Sequence, residues 1–191
     1  LKEGDTKKEY AKSKPPKREK VNWLERTELL IKEEGIQKLQ NARVLIVGLG
    51  GVGGSAAEFI TRAGIGNLTI VDGDVVSITN INRQLPALHS TIGKPKTEVV
   101  AERLLDINPA LNLTVINEFL SPERAWDIVT PDYDYVIDCI DSITPKLNLI
   151  LSSKRKRVKI VSCMGAGGAT DVSQIKVVDL MKTYNCPLAK F

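Results

Sequence analysis

Arg43-Val44-Leu45-Ile46-Val47-Gly48-Leu49-Gly50-Gly51-Val52-Gly53 decides the fold of this chain. Its first five residues include four branched apolar side chains in a row, the composition expected of a parallel strand covered on both faces. The run stops at Gly48, and Gly48, Gly50 and Gly53 then follow the spacing G-x-G-x-x-G. Beyond them Ala56, Phe59 or Ile60 and Ala63 recur at helical spacing, Glu58 and Arg62 form an i,i+4 pair, and Gly64 supplies a stop. A glycine turn between a strand and a helix lets a ligand approach the backbone closely. The free N–H groups at the helix start then attract phosphate.

Working outward, the same rhythm repeats. A strand is expected at 68–71, ending at Asp72; a helix begins near Pro95, shows Val100, Leu104 and Ile107 on one face, and stops at Asn108-Pro109. A strand at 113–116 follows, then a short helix from Ser121-Pro122-Glu123, a strand at 135–138, and a helix opened by Thr144-Pro145. That helix runs through Leu147, Ile150 and Leu151 to a basic end, Lys154 to Arg157, which suits the negative pole of a helix C-terminus. Further strands are expected at 158–162 and, antiparallel or at an edge, at 172–179. Upstream, Leu24, Thr27, Leu30 or Ile31, Ile36 and Leu39 predict a helix or helix pair interrupted at Gly35. Strands alternating with helices imply right-handed crossovers, hence an α/β, Rossmann-like fold: an open, mostly parallel sheet with helices on both faces.

Composition narrows the class. The 191 residues are 42% hydrophobic and 26% charged, as in globular domains, and the longest charge-free stretch, 44–57, is too short and too glycine-rich to span a membrane. The net charge of +4 resides wholly in residues 1–20, which hold eight basic and four acidic side chains. With Pro15-Pro16 and few apolar residues, this segment is expected to be a disordered tail, either a solvated arm or a phosphate-attracting one. Residues 21–191 are expected to form one domain. Three cysteines, Cys139, Cys163 and Cys186, show no C-x-x-C spacing and fit a reducing, cytoplasmic compartment. The chain starts at Leu1 and not at a methionine, so it is expected to begin inside a longer product.

The polar oddities cluster where strands end, the place where such sheets bind ligands. Asp72 lies 19 residues beyond Gly53, suited to accept ribose hydroxyls. Arg83 and Lys96 then supply cations of the kind that stabilise charge on a departing pyrophosphate, for which hydride transfer has little use. Lys96 also falls near a helix N-terminus. Asp138 either assists a metal or caps the turn after its strand. Cys163 reads as a small buried apolar residue and Cys186 as a loop thiol. His89, the only histidine, is assigned a packing or solvent role.

Taken together, Val44-Leu-Ile-Val-Gly-Leu-Gly-Gly-Val-Gly, Asp72-Gly-Asp, Asn80-x-x-Arg83-Gln84, Gly93-x-Pro-Lys96 and Asp138-Cys-Ile-Asp141 resemble the ThiF/MoeB/ubiquitin-activating-enzyme superfamily of carboxylate-adenylating proteins. Asn82-Arg83-Gln84-Leu85-Pro86, Ser142-x-x-Pro145-Lys146, Gly165-Ala-Gly-Gly168 and Asp179-x-x-Lys182-Thr183 resemble its tRNA threonylcarbamoyladenosine dehydratase branch. The resemblance implies that residues 21–191 are an ATP-binding adenylation domain cut short at its C-terminus, where relatives continue with a basic helix. It implies ATP and Mg²⁺ as cofactors, with Gly48, Gly50, Gly51, Gly53 and Asp72 around the nucleotide, Asn80, Arg83 and Lys96 facing phosphates, and Ser142 beside a metal-binding Asp141. It also implies a homodimer in which Arg26 reaches the neighbouring subunit's phosphates. The implied activity is ATP-dependent cyclisation of threonylcarbamoyladenosine in tRNA through an acyl-adenylate. The alternative is adenylation of the C-terminus of a ubiquitin-like or sulfur-carrier protein, with a sulfur-relay partner. The absent C-x-x-C pairs weigh against that alternative. An NAD-binding reductase and a nucleotide-binding scaffold without turnover remain as rivals of other classes.

Overall fold

The structure, a computed structural model, describes residues 22–184, 186 and 188–190; the expected basic tail at 1–20 lies outside them. Five strands form one parallel sheet: β1 (Arg43–Val47), β2 (Asn67–Val71), β3 (Asn112–Ile116), β4 (Tyr135–Asp138) and β5 (Lys159–Ser162), in the order β3-β2-β1-β4-β5. Five helices accompany them: α1 (Glu25–Asn41), α2 (Gly51–Arg62), α3 (Lys96–Ile107), α4 (Pro122–Ile128) and α5 (Ile143–Arg155).

Alternation along β1 divides the core. Val44 and Ile46 face one way and pack with Leu68, Ile70, Ala57, Val100 and Leu104, under α2 and α3. Leu45 and Val47 face the other way and pack with Val71, Val136, Leu149 and Val158, under α4 and α5. The sheet therefore carries helices on both faces, and the connections change side between β3 and β4. The gap between β1 and β4 is then the switch point where ligands settle in this architecture.

Two expectations are corrected. The expected strand at 172–179 is absent: short 3₁₀ turns occupy Val172–Gln174 and Leu180–Lys182, and residues 165–182 are exposed throughout. Asp171 accepts from Ser173 N at 3.0 Å and Asp179 from Met181 N at 2.9 Å, so each carboxylate starts a turn, and no sheet edge lies alongside to pair with the branched residues. The first helix breaks at Lys32 (φ 61°, ψ 175°), not at Gly35. Gly35 instead lies within the second segment, where a Cβ would stand 2.7 Å from Ile31 Cβ.

Candidate nucleotide site

The glycine turn is a mould made by tertiary contact. Gly48 has φ +89°, and a Cβ there would stand 2.7 Å from the Cys139 carbonyl oxygen at the end of β4. A Cβ on Gly53 would be 1.7 Å from Gly48 O, so α2 can sit this close to the turn only without a side chain. Gly48 N donates to Val71 O and Cys139 N to Val47 O, both at 2.8 Å, which ties the ends of β2, β1 and β4 together.

Asp72 fixes this turn. Its Oδ2 accepts from Leu49 N at 2.6 Å and its Oδ1 from Asp74 N at 2.7 Å. The carboxylate assigned to ribose thus also braces the loop, with lone pairs remaining for a ligand. The following segment returns across the head of α2: a Cβ on Gly51 would be 3.1 Å from Arg83 O, and one on Gly54 would be 3.4 Å from Pro86 Cδ. Arg83 is exposed, and its Nη1 donates to Thr79 O at 3.1 Å and Asn82 Oδ1 at 3.0 Å, with no carboxylate partner among the described residues. Asn80 shapes the bend, accepting from Ser77 N at 3.0 Å.

Lys96 differs from an exposed phosphate ligand. It is buried at the first position of α3, and its Nζ donates to Asp74 Oδ2 at 2.8 Å. Asp74 also offers its backbone oxygen to Lys96 N at 3.0 Å, so the two residues hold each other. Asp141 and Ser142 are exposed at the same edge of the sheet, between β4 and α5, and Ser142 Oγ donates to Asp141 Oδ1 at 3.4 Å. Arg26 is not brought to this site. It lies on α1 two residues after Leu24, whose side chain covers Gly64 beyond the far end of α2. His89 is exposed in a 3₁₀ turn, His89–Thr91.

Beneath the site lies a lysine that sequence reasoning left without a role, paired with Asp138, which was expected to assist a metal or cap its turn. Lys146 Nζ donates to Asp138 Oδ2 at 2.6 Å, to Cys163 O at 2.9 Å and to Ser162 Oγ at 3.3 Å, with both charged side chains buried. Asp138 also accepts from Ile140 N at 3.0 Å, so it caps the turn leading to Asp141. One signal was present: Lys146, Leu149 and Ser153 recur at helical spacing on the buried face of α5, and a lysine there requires a counterion. Gln84 was another. It is buried beside Gly50, and its Oε1 has no hydrogen-bond partner.

Cys139 and Cys163 end β4 and β5 with sulfurs 3.9 Å apart. The hydrogen bond donated by Cys139 lowers the Cys163 thiol to about 7, helped by the Lys146 ammonium, while the same contact and burial push Cys139 up. Cys163 is only half-buried, so it is not the inert packed residue expected. Cys186 is a loop thiol facing Gly165 O at 3.7 Å.

A concavity of about 490 Å³ lined by Glu34, Lys38, Asn41 and Asp134, and one of about 200 Å³ lined by Arg43, Asn67, Thr69 and Tyr133, both lie at the strands' opposite, N-terminal edge. Neither contains a residue assigned to the nucleotide. Among the described residues no group of three or more His, Cys, Asp or Glu could enclose a metal, and none of the helices is long and apolar enough to cross a membrane. A lone exposed carboxylate such as Asp141 is compatible with Mg²⁺, which is commonly held through one or two carboxylates plus phosphate and water oxygens.

The family described as the ThiF family matches residues 24–191. A tRNA threonylcarbamoyladenosine dehydratase of Haemophilus influenzae is 46% identical over 155 residues, covering 81% of this chain and 59% of that protein. The Escherichia coli protein of the same name is 44% identical over 170 residues, covering 87% of this chain and 63% of its own length. The chain thus spans about three fifths of these curated relatives. A crystal structure of the E. coli dehydratase in complex with ATP superposes with a TM-score of 0.85 at 43% identity, covering 89% of this chain and 71% of that one.

Proposed function

The chain belongs to the ThiF family, and from that premise we propose that it activates the carboxylate of threonylcarbamoyladenosine in tRNA with ATP, leading to cyclisation with loss of water. The observation that carries this reading is the braced glycine turn at the head of α2, with Asp72 locked beneath it and Arg83 folded across it. The relatives' name and the ATP-bound E. coli structure support the substrate and the nucleotide.

A carboxylate is a poor acyl donor because its oxygen leaves badly; ATP supplies a better leaving group on that oxygen. The chain's own residues do the rest by position and charge. The amides of the glycine turn and the pole of α2 bind phosphate oxygens. Arg83, free of any carboxylate, neutralises charge building at the departing pyrophosphate, and Lys96 joins it as its pair with Asp74 rearranges. Asp141 would hold Mg²⁺, with Ser142 orienting the carboxylate. Attack by the adjacent carbamoyl arm is intramolecular, so no enzyme nucleophile is demanded, and Cys163 serves none. Since Arg26 is remote from its own chain's site, it acts across a homodimer. A cytoplasmic setting follows from the substrate.

The test is mass spectrometry of tRNA nucleosides after incubation of modified tRNA with ATP and magnesium. Loss of one water from threonylcarbamoyladenosine is expected, and Arg83→Ala or Asp141→Ala should slow it by about 100-fold. Full conversion by either variant would remove that residue from the mechanism. Activity on a carrier protein's C-terminus, with none on modified tRNA, would overturn the substrate assignment.

A further inference from the structure

Residues 21–191 carry no net charge, yet five of the six residues from 154 to 159 are basic: Lys154, Arg155, Lys156, Arg157 and Lys159. Among the described residues none of the five forms an ion pair, whereas six other cations do. Glu123 and Asp127, on the helix packed against α5, do not pair with them either. Complementing the helix dipole accounts for Lys154 and Arg155 in the last turn but not for Arg157 and Lys159 beyond it. Deterring edge pairing accounts for Lys159 on β5, the outermost strand, but not for the rest.

Aromatic rings flank the cations. Lys156 Nζ stands 4.4 Å from the Trp126 ring centroid and also donates to Trp126 O, and Lys159 Nζ stands 5.2 Å from the Tyr135 ring. Trp126 and Tyr135 each remain 44% exposed. Arg157, with φ 59°, turns the chain sharply from α5 toward β5, so the free cations gather at one corner. Unpaired guanidinium and ammonium groups beside half-exposed rings form a surface suited to phosphates and bases, whereas an acidic protein face would need no rings.

Position matters as much as composition. α5 begins two residues after Asp141, and its 13 residues extend about 20 Å to the basic corner. We propose that this corner docks the ribose-phosphate backbone of the tRNA whose modified base is handled at the other end of α5. The proposal rests on the substrate reading above and adds where the RNA lies.

The experiment measures tRNA affinity across a salt series for the unaltered chain, for the triple variant Lys154→Gln, Arg155→Gln, Arg157→Gln, and for the charge-preserving Arg155→Lys, Arg157→Lys. Melting and ATP binding are recorded for each. The triple variant should bind tRNA about 10- to 100-fold more weakly near physiological salt, with the slope of log K against log salt shallower by about 2–3. The lysine variant should keep the slope, and ATP binding should not change. Equal affinity and slope for the triple variant and the unaltered chain would overturn the docking surface while leaving the substrate reading intact. An unaltered chain that binds no tRNA would overturn both. Preferential binding to vesicles of anionic lipid, lost in the triple variant, would replace the RNA assignment with a membrane one.

Discussion

The glycine turn at 48–53 and the stretch at 165–182 leave the same edge of one sheet, and they are held in opposite ways. The turn is fixed by contacts from elsewhere: Val71, Asp72 and Cys139 approach from other strand ends, and an added methyl group would collide with backbone. The later stretch meets solvent along its whole length and is ordered mainly by local turns at Asp171 and Asp179, with contacts from Tyr184 and Cys186 nearby in sequence. Branched residues are present in both, so branching alone does not make a strand. A strand forms where a neighbouring ladder and a covering face exist.

The sharpest way to break that contrast is Gly53→Ala. The new carbon would stand 1.7 Å from Gly48 O, so α2 must move off the turn. A loss of about 4 kcal/mol or more is expected in denaturant unfolding, together with nucleotide binding. A loss below 1 kcal/mol would show that the mould is soft. Next comes Lys146→Met, which strands the Asp138 carboxylate in the interior and should cost about 3–5 kcal/mol. Adding Asp138→Asn should recover part of it, and no recovery would mean that the lysine stabilises by packing alone. A smaller effect concerns Cys163: with its thiol near 7, the thiolate grows as pH rises, and alkylation should quicken about tenfold from pH 6 to 8. Cys139, pushed up, should stay unreactive, as mass mapping would reveal. Smallest is Val177→Ser in the exposed stretch, where the residue is already 95% exposed. The melting-derived stability should change by no more than about 0.5 kcal/mol, and a larger loss would indicate that this segment is covered in solution.

The five strands were legible because each is a compact run of branched residues bounded by a turn signal, and the α/β rhythm followed from their spacing. The glycine turn was legible because its signature, G-x-G-x-x-G between a branched run and a helical pattern, is contiguous, although contacts from other strand ends fix its geometry. Four features were not. The break at Lys32 replaced the one expected at Gly35, because Gly35 is used to admit the Ile31 side chain. The strand at 172–179 failed because edge pairing is a property of neighbours, which one stretch does not encode. The buried pair Lys146–Asp138 and the pair of buried Lys96 with exposed Asp74 join residues 8 and 22 positions apart, and only the adjacency of β4, β5 and α5, or of the loop after β2 and α3, brings them together. Arg26 was picked out as a cation, but its distance from its own chain's glycine turn emerges only once Leu24 is seen against Gly64.

Both lysines near the crevice enter as halves of neutral couples, each matched to its aspartate. Arg83 apart, what faces an arriving anion is therefore mainly a set of oriented peptide dipoles, whose field fades within about one helical turn. Such a crevice is short-sighted: its pull at a distance rests on Arg83, and the rest of it discriminates only after contact, through fit to the backbone.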